Sequence, residues 1–191
     1  MDPIPSTVTL SRIDRAVEMA SLAHGAQKRK GTEMPYLVHP CSVGLLLAGA
    51  GCPEDVVVAG ILHDTLEDTA LDPEAIRREF GDAVLAIVQG CSEPAKTVPW
   101  EERKRHTLHL LETASDEIRL VSCADKLHNV RSMGADREQL GEGVWTKFKR
   151  GREQQAWYYR GLVGALCREP LPVPGAALFH ALSAAVTALF G

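Results

Sequence analysis

An all-α bundle of about ten helices is the fold class predicted for this 191-residue chain. Three observations predict it. Apolar residues recur at helical spacing in an Ala- and Leu-rich sequence, no long alternating β pattern interrupts them, and the breaks carry helix punctuation. Helices are expected to start near Leu10, Pro40, Pro53, Asp72, Asp82, Trp100, Ser115, Gly143, Arg152 and Ala176.

Taken in order, the first helix runs from Leu10 and closes on the basic run Gln27-Lys28-Arg29-Lys30, before Gly31. A Gly- and Pro-bearing loop, Gly31 to Val38, leads to His39-Pro40 and an apolar helix from Ser42 to Ala50. Pro53-Glu54-Asp55 and Asp72-Pro73-Glu74 each put proline and acids in a first turn, where they suit the helix dipole. Gly81 ends the short helix EAIRREF. Two prolines mark Ser92 to Pro99 as a loop, and the helix after it opens on Glu101-Glu102-Arg103-Lys104-Arg105-His106. Apolar positions Ile118, Leu120, Val121, Ala124, Leu127 and Val130 define one face of a further helix. The proline-rich EPLPVPG then separates residues 1–168, read as one domain, from a C-terminal segment at 169–191. In that segment His180, Ser183 and Thr187 form a single polar stripe on an otherwise apolar helix. This is the pattern of a helix docked on the core or on a second subunit. It has too few residues to span a bilayer comfortably and lacks the Lys and Arg of an interfacial membrane helix.

Composition excludes several function classes. Lys and Arg number 21 against 25 Asp and Glu, a net charge of −4, which argues against a nucleic-acid polymer as partner. The N-terminal MDPIPSTVTL shows no charged region followed by an apolar one, so a cytoplasmic location is expected, with no membrane span. Cys41, Cys52, Cys91, Cys123 and Cys167 are odd in number, widely spaced and without a CxxC pair, so they read as small buried hydrophobes. The sequence leaves a monomer and a homo-oligomer both open.

The chemistry concentrates in EDVVVAGILHDTLEDT, Glu54 to Thr69. A helix apolar on every side runs into His63-Asp64 and, one turn later, into Glu67-Asp68. Three carboxylates and an imidazole crowded at the end of a core helix repel one another unless a cation joins them, and such ligands suit Zn, Mn, Fe or Mg. An exposed acidic turn after a core helix accounts for this segment alone equally well. Asp125, within an apolar helix face, also calls for a cation or a donor, with Lys126, His128 and Arg131 as candidate structural partners. His39, before a proline, adds a second imidazole. Together His39, His63, Asp64 and Asp125 make a sensible mononuclear donor set, although spacing does not show that His39 or Asp125 reaches His63. The basic run at 27–30 reads either as an answer to a helix C-terminal dipole or as a phosphate-binding rim.

The ordered set QKRK, PYLVHP, ILHDTLEDT and ADKLHN resembles the HD-domain hydrolases of the RelA/SpoT homologue superfamily, most closely its single-domain small alarmone hydrolases. The resemblance covers about Leu10 to Met133. It implies an all-α HD-domain bundle around one metal, usually Mn2+, with His39, His63, Asp64 and Asp125 as ligands. It further implies Glu67 and Asp68 as the acidic pair that orients or activates the attacking water, and Arg29, Lys30 and Asn129 as substrate contacts. The implied reaction removes the 3′-pyrophosphate of guanosine tetra- or pentaphosphate, a small-molecule nucleotide, giving GDP or GTP and pyrophosphate. Two alternatives remain at this stage: the same chemistry on an adenosine analogue or a nicotinamide dinucleotide phosphate, and a non-catalytic nucleotide sensor. His24 has no assigned ligand role.

Overall fold

The computed structural model describes residues 11–93 and 97–191. The expected helix start at Leu10, the N-terminal decapeptide and residues 94–96 of the expected loop lie outside them. Among the described residues the chain forms α1 (Arg12–His24), α2 (Val38–Gly49), α3 (Glu54–Leu62), α4 (Thr65–Asp68), α5 (Pro73–Phe80), α6 (Asp82–Cys91), α7 (Trp100–Thr113), α8 (Asp116–Leu140), a 3-10 turn (Gly141–Lys147), α9 (Arg152–Leu166) and α10 (Ala176–Phe190). There is no strand among those residues. The fold class is the one expected.

The central element is α3, which packs against α1, α2, α6 and α8. Every residue from Val56 to Leu62 is buried, as an element enclosed on all sides requires. Glycine permits the closest of these contacts. A Cβ on Gly60 would fall 2.4 Å from Leu47 Cδ1, and one on Gly44 would fall 2.6 Å from Ile61 Cγ1. The α2–α3 pair can therefore bring His39 and His63 together only at small-residue crossings.

Three expectations need correction. First, α1 does not extend to Lys30. Gly25, at φ +51°, stops it after His24, and its N–H bonds Ser21 O at 2.9 Å. Only glycine takes that backbone region without a Cβ clash, so the helix ends early. The basic run lies in a loop closed by an antiparallel bridge between Lys28 and Pro35. Lys30 therefore answers no helix dipole.

Second, His39 lies within α2 rather than ahead of it, because the helix starts at Val38. Pro40 is tolerated there, in the first turn, where its missing N–H has no helical partner to lose. Third, the segment around Gly143 is a 3-10 turn and not an α-helix. Its two glycines, Gly141 at φ +58° and Gly143, weaken α-helical continuation.

The C-terminal α10 packs on α8 and α9. Leu178, Phe179, Leu182, Val186, Leu189 and Phe190 are buried, while His180 and Thr187 face solvent and Ser183 is half-exposed. Phe190 sits against Tyr159 and Trp145 at centroid distances of 5.8 and 5.6 Å. Arg160 and Arg137 donate to the carbonyls of Phe190 and Leu189, which cations at a helix C-terminus do favourably.

Candidate metal centre

The ladder breaks between α3 and α4, at His63 and Asp64, where an unbroken helix was expected. The backbone there stays near-helical, with Asp64 at φ −93°, ψ −7°. Side chains take over the carbonyls. His63 Nδ1 lies 2.7 Å from Gly60 O, and Thr65 Oγ1 donates to Leu62 O at 2.7 Å. Such local bonds compete with the helix and turn it. The break keeps the His63 ring buried and leaves Asp64, Glu67 and Asp68 half-buried.

Three elements then converge. His39 from α2, His63 from the break and Asp125 from α8 each place one ligand atom within 4.8 Å of the others, and all three residues are buried. His39 Nε2 is 3.2 Å from Asp125 Oδ1 and 3.5 Å from Asp64 Oδ2. His63 Nε2 is 3.1 Å from Asp64 Oδ2 and 3.8 Å from Asp125 Oδ1. Neighbouring ligands of a small divalent ion, each about 2.1 Å away, stand about 3 Å apart. His63 Nε2 is fully enclosed and makes no hydrogen bond of acceptable geometry despite those neighbours. A buried polar atom without a partner calls for explanation, and a divalent ion between the two imidazoles and two carboxylates supplies it.

The electrostatics agree. Burial pushes the carboxyls of Asp64 and Asp125 up, yet their surroundings outweigh it and hold both well below the usual range. For Asp64 the counterweight is His63, then His39; for Asp125 it is Lys126, then the two imidazoles. Burial likewise pushes His63 down, but the two carboxylates raise it well above its usual value. The cluster is a trap for positive charge.

Around it lie partners that sequence reading did not assign. Tyr36 donates its hydroxyl to Asp64 Oδ2 at 2.6 Å, and His128 Nδ1 is 2.8 Å from His39 Nδ1. Burial pushes the His128 imidazole down to about 4, with His39 and Arg29 adding to it. Lys126 Nζ pairs with Asp125 Oδ2 at 2.7 Å, the structural partnership that the sequence left open. Glu93 binds Arg103 and Lys104 at 2.8 and 2.5 Å, and its N–H donates to Glu67 Oε2 at 3.1 Å. Only the ADKLHN and PYLVHP motifs, which contain Lys126, His128 and Tyr36, carried any signal for these roles.

The expected substrate contacts form a relay. Arg29 donates to Asn129 Oδ1 at 3.1 Å, and Asn129 donates to Asp125 Oδ1 at 2.5 Å. Lys30 lies apart from it, with Nζ 5.3 Å from the Phe148 ring centroid. Glu67 and Asp68 line the cavity over the centre, about 280 Å³, with His39, Asp64 and Asp125. A second cavity of about 490 Å³ contains Lys30, Phe148 and Tyr159, and it shares Arg29, Tyr36 and Asn129 with the first. His24 is buried, with Nδ1 3.0 Å from Gln27 Oε1, and it does not line either cavity. A separate groove of about 560 Å³, between Arg15, Met19, Leu22 and Leu71, contains none of these groups.

A family model described as HD domain matches residues 16–153, which include His39, His63, Asp64, Glu67, Asp68, Asp125 and Asn129. The chain belongs to the HD domain family. Among its relatives, the guanosine-3′,5′-bis(diphosphate) 3′-pyrophosphohydrolase MESH1 of Xenopus tropicalis is 39% identical over 121 residues, covering 62% of this chain and 67% of that one. A GTP pyrophosphokinase of Streptomyces coelicolor is 38% identical over 135 residues, covering 69% of this chain. The chain spans only 16% of that relative and 18% of a second long one, the guanosine-3′,5′-bis(diphosphate) 3′-pyrophosphohydrolase of Aquifex aeolicus. Two solved structures share the fold. A protein of Listeria monocytogenes EGD-e superposes with a TM-score of 0.74 at 38% identity, over 80% of this chain and 98% of that one. A metazoan ortholog of SpoT that hydrolyses ppGpp superposes with a TM-score of 0.76 at 25% identity, over 96% of this chain and 98% of the other. The HD domain and its His39–His63–Asp125 group fit a divalent metal.

Proposed function

We propose that this HD-domain chain is a metal-dependent phosphohydrolase that removes the 3′-pyrophosphate of guanosine tetra- or pentaphosphate, releasing GDP or GTP. One observation carries the reading: two buried imidazoles and two carboxylates converge beneath a cavity that Arg29, Arg103, Lys104 and Lys126 also line. The names of the MESH1 and Aquifex aeolicus relatives supply the substrate. Five carboxylates and four cations line the cavity, so it carries a net −1 with its histidine neutral. A divalent ion reverses that sign, which suits a polyphosphate.

His39, His63, Asp64 and Asp125 would hold the ion, Mn2+ in our reading. When bound, it supplies Lewis-acid polarisation of a phosphoryl oxygen and of water. Glu67 takes the proton of the attacking water. Burial first, then the nearby carboxylates of Glu93, Asp68 and Asp64, push its carboxyl above the usual range despite the bond from the Glu93 N–H. A base of higher pKa accepts a proton more readily near neutrality. Asp68, on the same short helix, orients that water. Arg29, with Asn129 fixing its guanidinium, meets phosphoryl charge at the mouth, and Lys30 meets the remaining phosphates in the larger cavity. Arg103 and Lys104 share one carboxylate, Glu93, and so retain one net positive charge at the rim.

No helix among the described residues is long and apolar enough to cross a membrane, and all five cysteines are free. Free thiols support a cytoplasmic setting. The test is product release by the purified chain, pyrophosphate from guanosine tetraphosphate and its adenosine counterpart and orthophosphate from NADPH, before and after chelation and Mn2+ repletion. Guanosine tetraphosphate should be turned over fastest, chelation should stop the reaction, and His63→Ala should not be rescued by Mn2+. Chelator-resistant turnover, or faster turnover of either other nucleotide, would contradict the reading.

A further inference from the structure

We infer that His128 is a positioning residue: it accepts a hydrogen bond from Nδ1–H of His39 and so commits His39 to offer Nε2 to the ion. The inference rests on the metal-centre reading above and adds to it a group outside the four ligands.

His63 Nδ1 faces Gly60 O at 2.7 Å, and a carbonyl only accepts. In the neutral ring that an ion requires, the proton is therefore on Nδ1, and Nε2 offers its lone pair on the side of Asp64 and Asp125. His39 presents the same nitrogen to the same carboxylates, but no carbonyl faces its Nδ1. The atom there is His128 Nδ1, at 2.8 Å. A neutral imidazole has one N–H. Two arrangements satisfy that contact. If His128 donates, His39 Nε2 carries a proton and bonds the carboxylates as an ordinary donor. If His39 donates, its Nε2 is free to ligate and the His128 proton sits on Nε2. Binding through His39 requires the second arrangement. His128 thus does for His39 what the Gly60 carbonyl does for His63, and two rings on different helices present the same nitrogen. Its place follows from α8, where it stands three residues after Asp125. It is half-buried, so its replacement is tolerable to the fold.

Partners of this kind are worth about 10- to 100-fold in metal affinity. The experiment is a Mn2+ titration of the metal-stripped full chain, with His39→Ala as reference. If the parent binds no Mn2+, or His39→Ala binds as well as the parent, the metal-centre reading fails and this inference falls with it. Given His39-dependent binding, His128→Leu should weaken Mn2+ about 10- to 100-fold. His128→Asn, whose amide oxygen can take the place of Nδ1, should recover most of that loss. Equal affinity of His128→Leu and the parent would overturn the role, as would equal weakening in the Leu and Asn variants, which would mean packing alone. Circular dichroism separates unfolding from lost affinity. Nitrogen-15 NMR of the Zn2+-loaded parent gives a second reading without mutation. The proton should be on Nδ1 of His39 and on Nε2 of His128, and a proton on Nδ1 of His128 would overturn the inference.

Discussion

Helix α8 carries two buried charges, Arg119 and Asp125, about 9 Å apart along the axis at 1.5 Å per residue. They are handled in opposite ways. The terminal nitrogens of Arg119 bond the carbonyls of Leu166, Arg168 and Pro170 and the carboxylate of Asp116, and only its Nε lacks a partner. That charge ties the chain after α9 to the bundle. Asp125 has a lysine and an asparagine beside it, yet its Oδ1 also points at two imidazole nitrogens that point back. A charge buried for architecture is closed off by backbone carbonyls. Asp125 instead converges with the ligand-type atoms of His39, His63 and Asp64 on a shared point.

The largest effect that sharpens this contrast belongs on the chemical side. Glu67→Gln should lower turnover by about 10²- to 10⁴-fold, the usual share of a general base, with metal content unchanged. Loss of metal would make Glu67 a ligand. The parent's kcat/KM should fall as pH drops through the Glu67 pKa, above the usual 4.5, because the protonated carboxyl cannot accept the water's proton. Glu67→Gln should lack that limb.

On the architectural side, Arg119→Met should cost about 3–5 kcal/mol of stability, because it strands buried acceptors, while metal stoichiometry stays that of the parent. Thermal melts and metal analysis check both halves. A folded variant that loses its metal would dissolve the distinction between the two charges.

The smallest effect tests an ion pair at the rim of the chemical side. Burial pushes the Glu93 carboxyl up, but Lys126, Lys104 and Arg103 outweigh it and hold the pKa below 4.5. A depressed carboxylate contributes stability that is full above pH 4.5 and is lost as pH falls through the lowered value. Acid titrations should therefore show Glu93→Gln losing less stability than the parent below pH 4.5. Parallel curves would contradict the pairing.

Much of the bundle was legible because its breaks are local. Pro73, Asp82 and Gly81 fix the ends of α5 and α6 within the sequence itself, and the polar stripe at His180, Ser183 and Thr187 marks the solvent face of α10. The basic run was misplaced because Gly25 stands among residues that continue a helix well, and only its positive φ reveals the stop. The ladder break at His63 was invisible because it depends on a ring and a hydroxyl taking carbonyls from the backbone. The motifs named the four converging side chains. Tyr36, His128 and Glu93 went unassigned because their partners lie 28, 89 and 26 residues away, where spacing carries no geometry.

We propose that His39, His63, Asp64 and Asp125 share one divalent ion. A crystal of the Mn2+-loaded chain, measured above and below the manganese edge, tests it most directly. A single difference peak framed by those four side chains is expected. A peak elsewhere, or no peak with His63 Nε2 bonded to an ordinary protein partner, would contradict it.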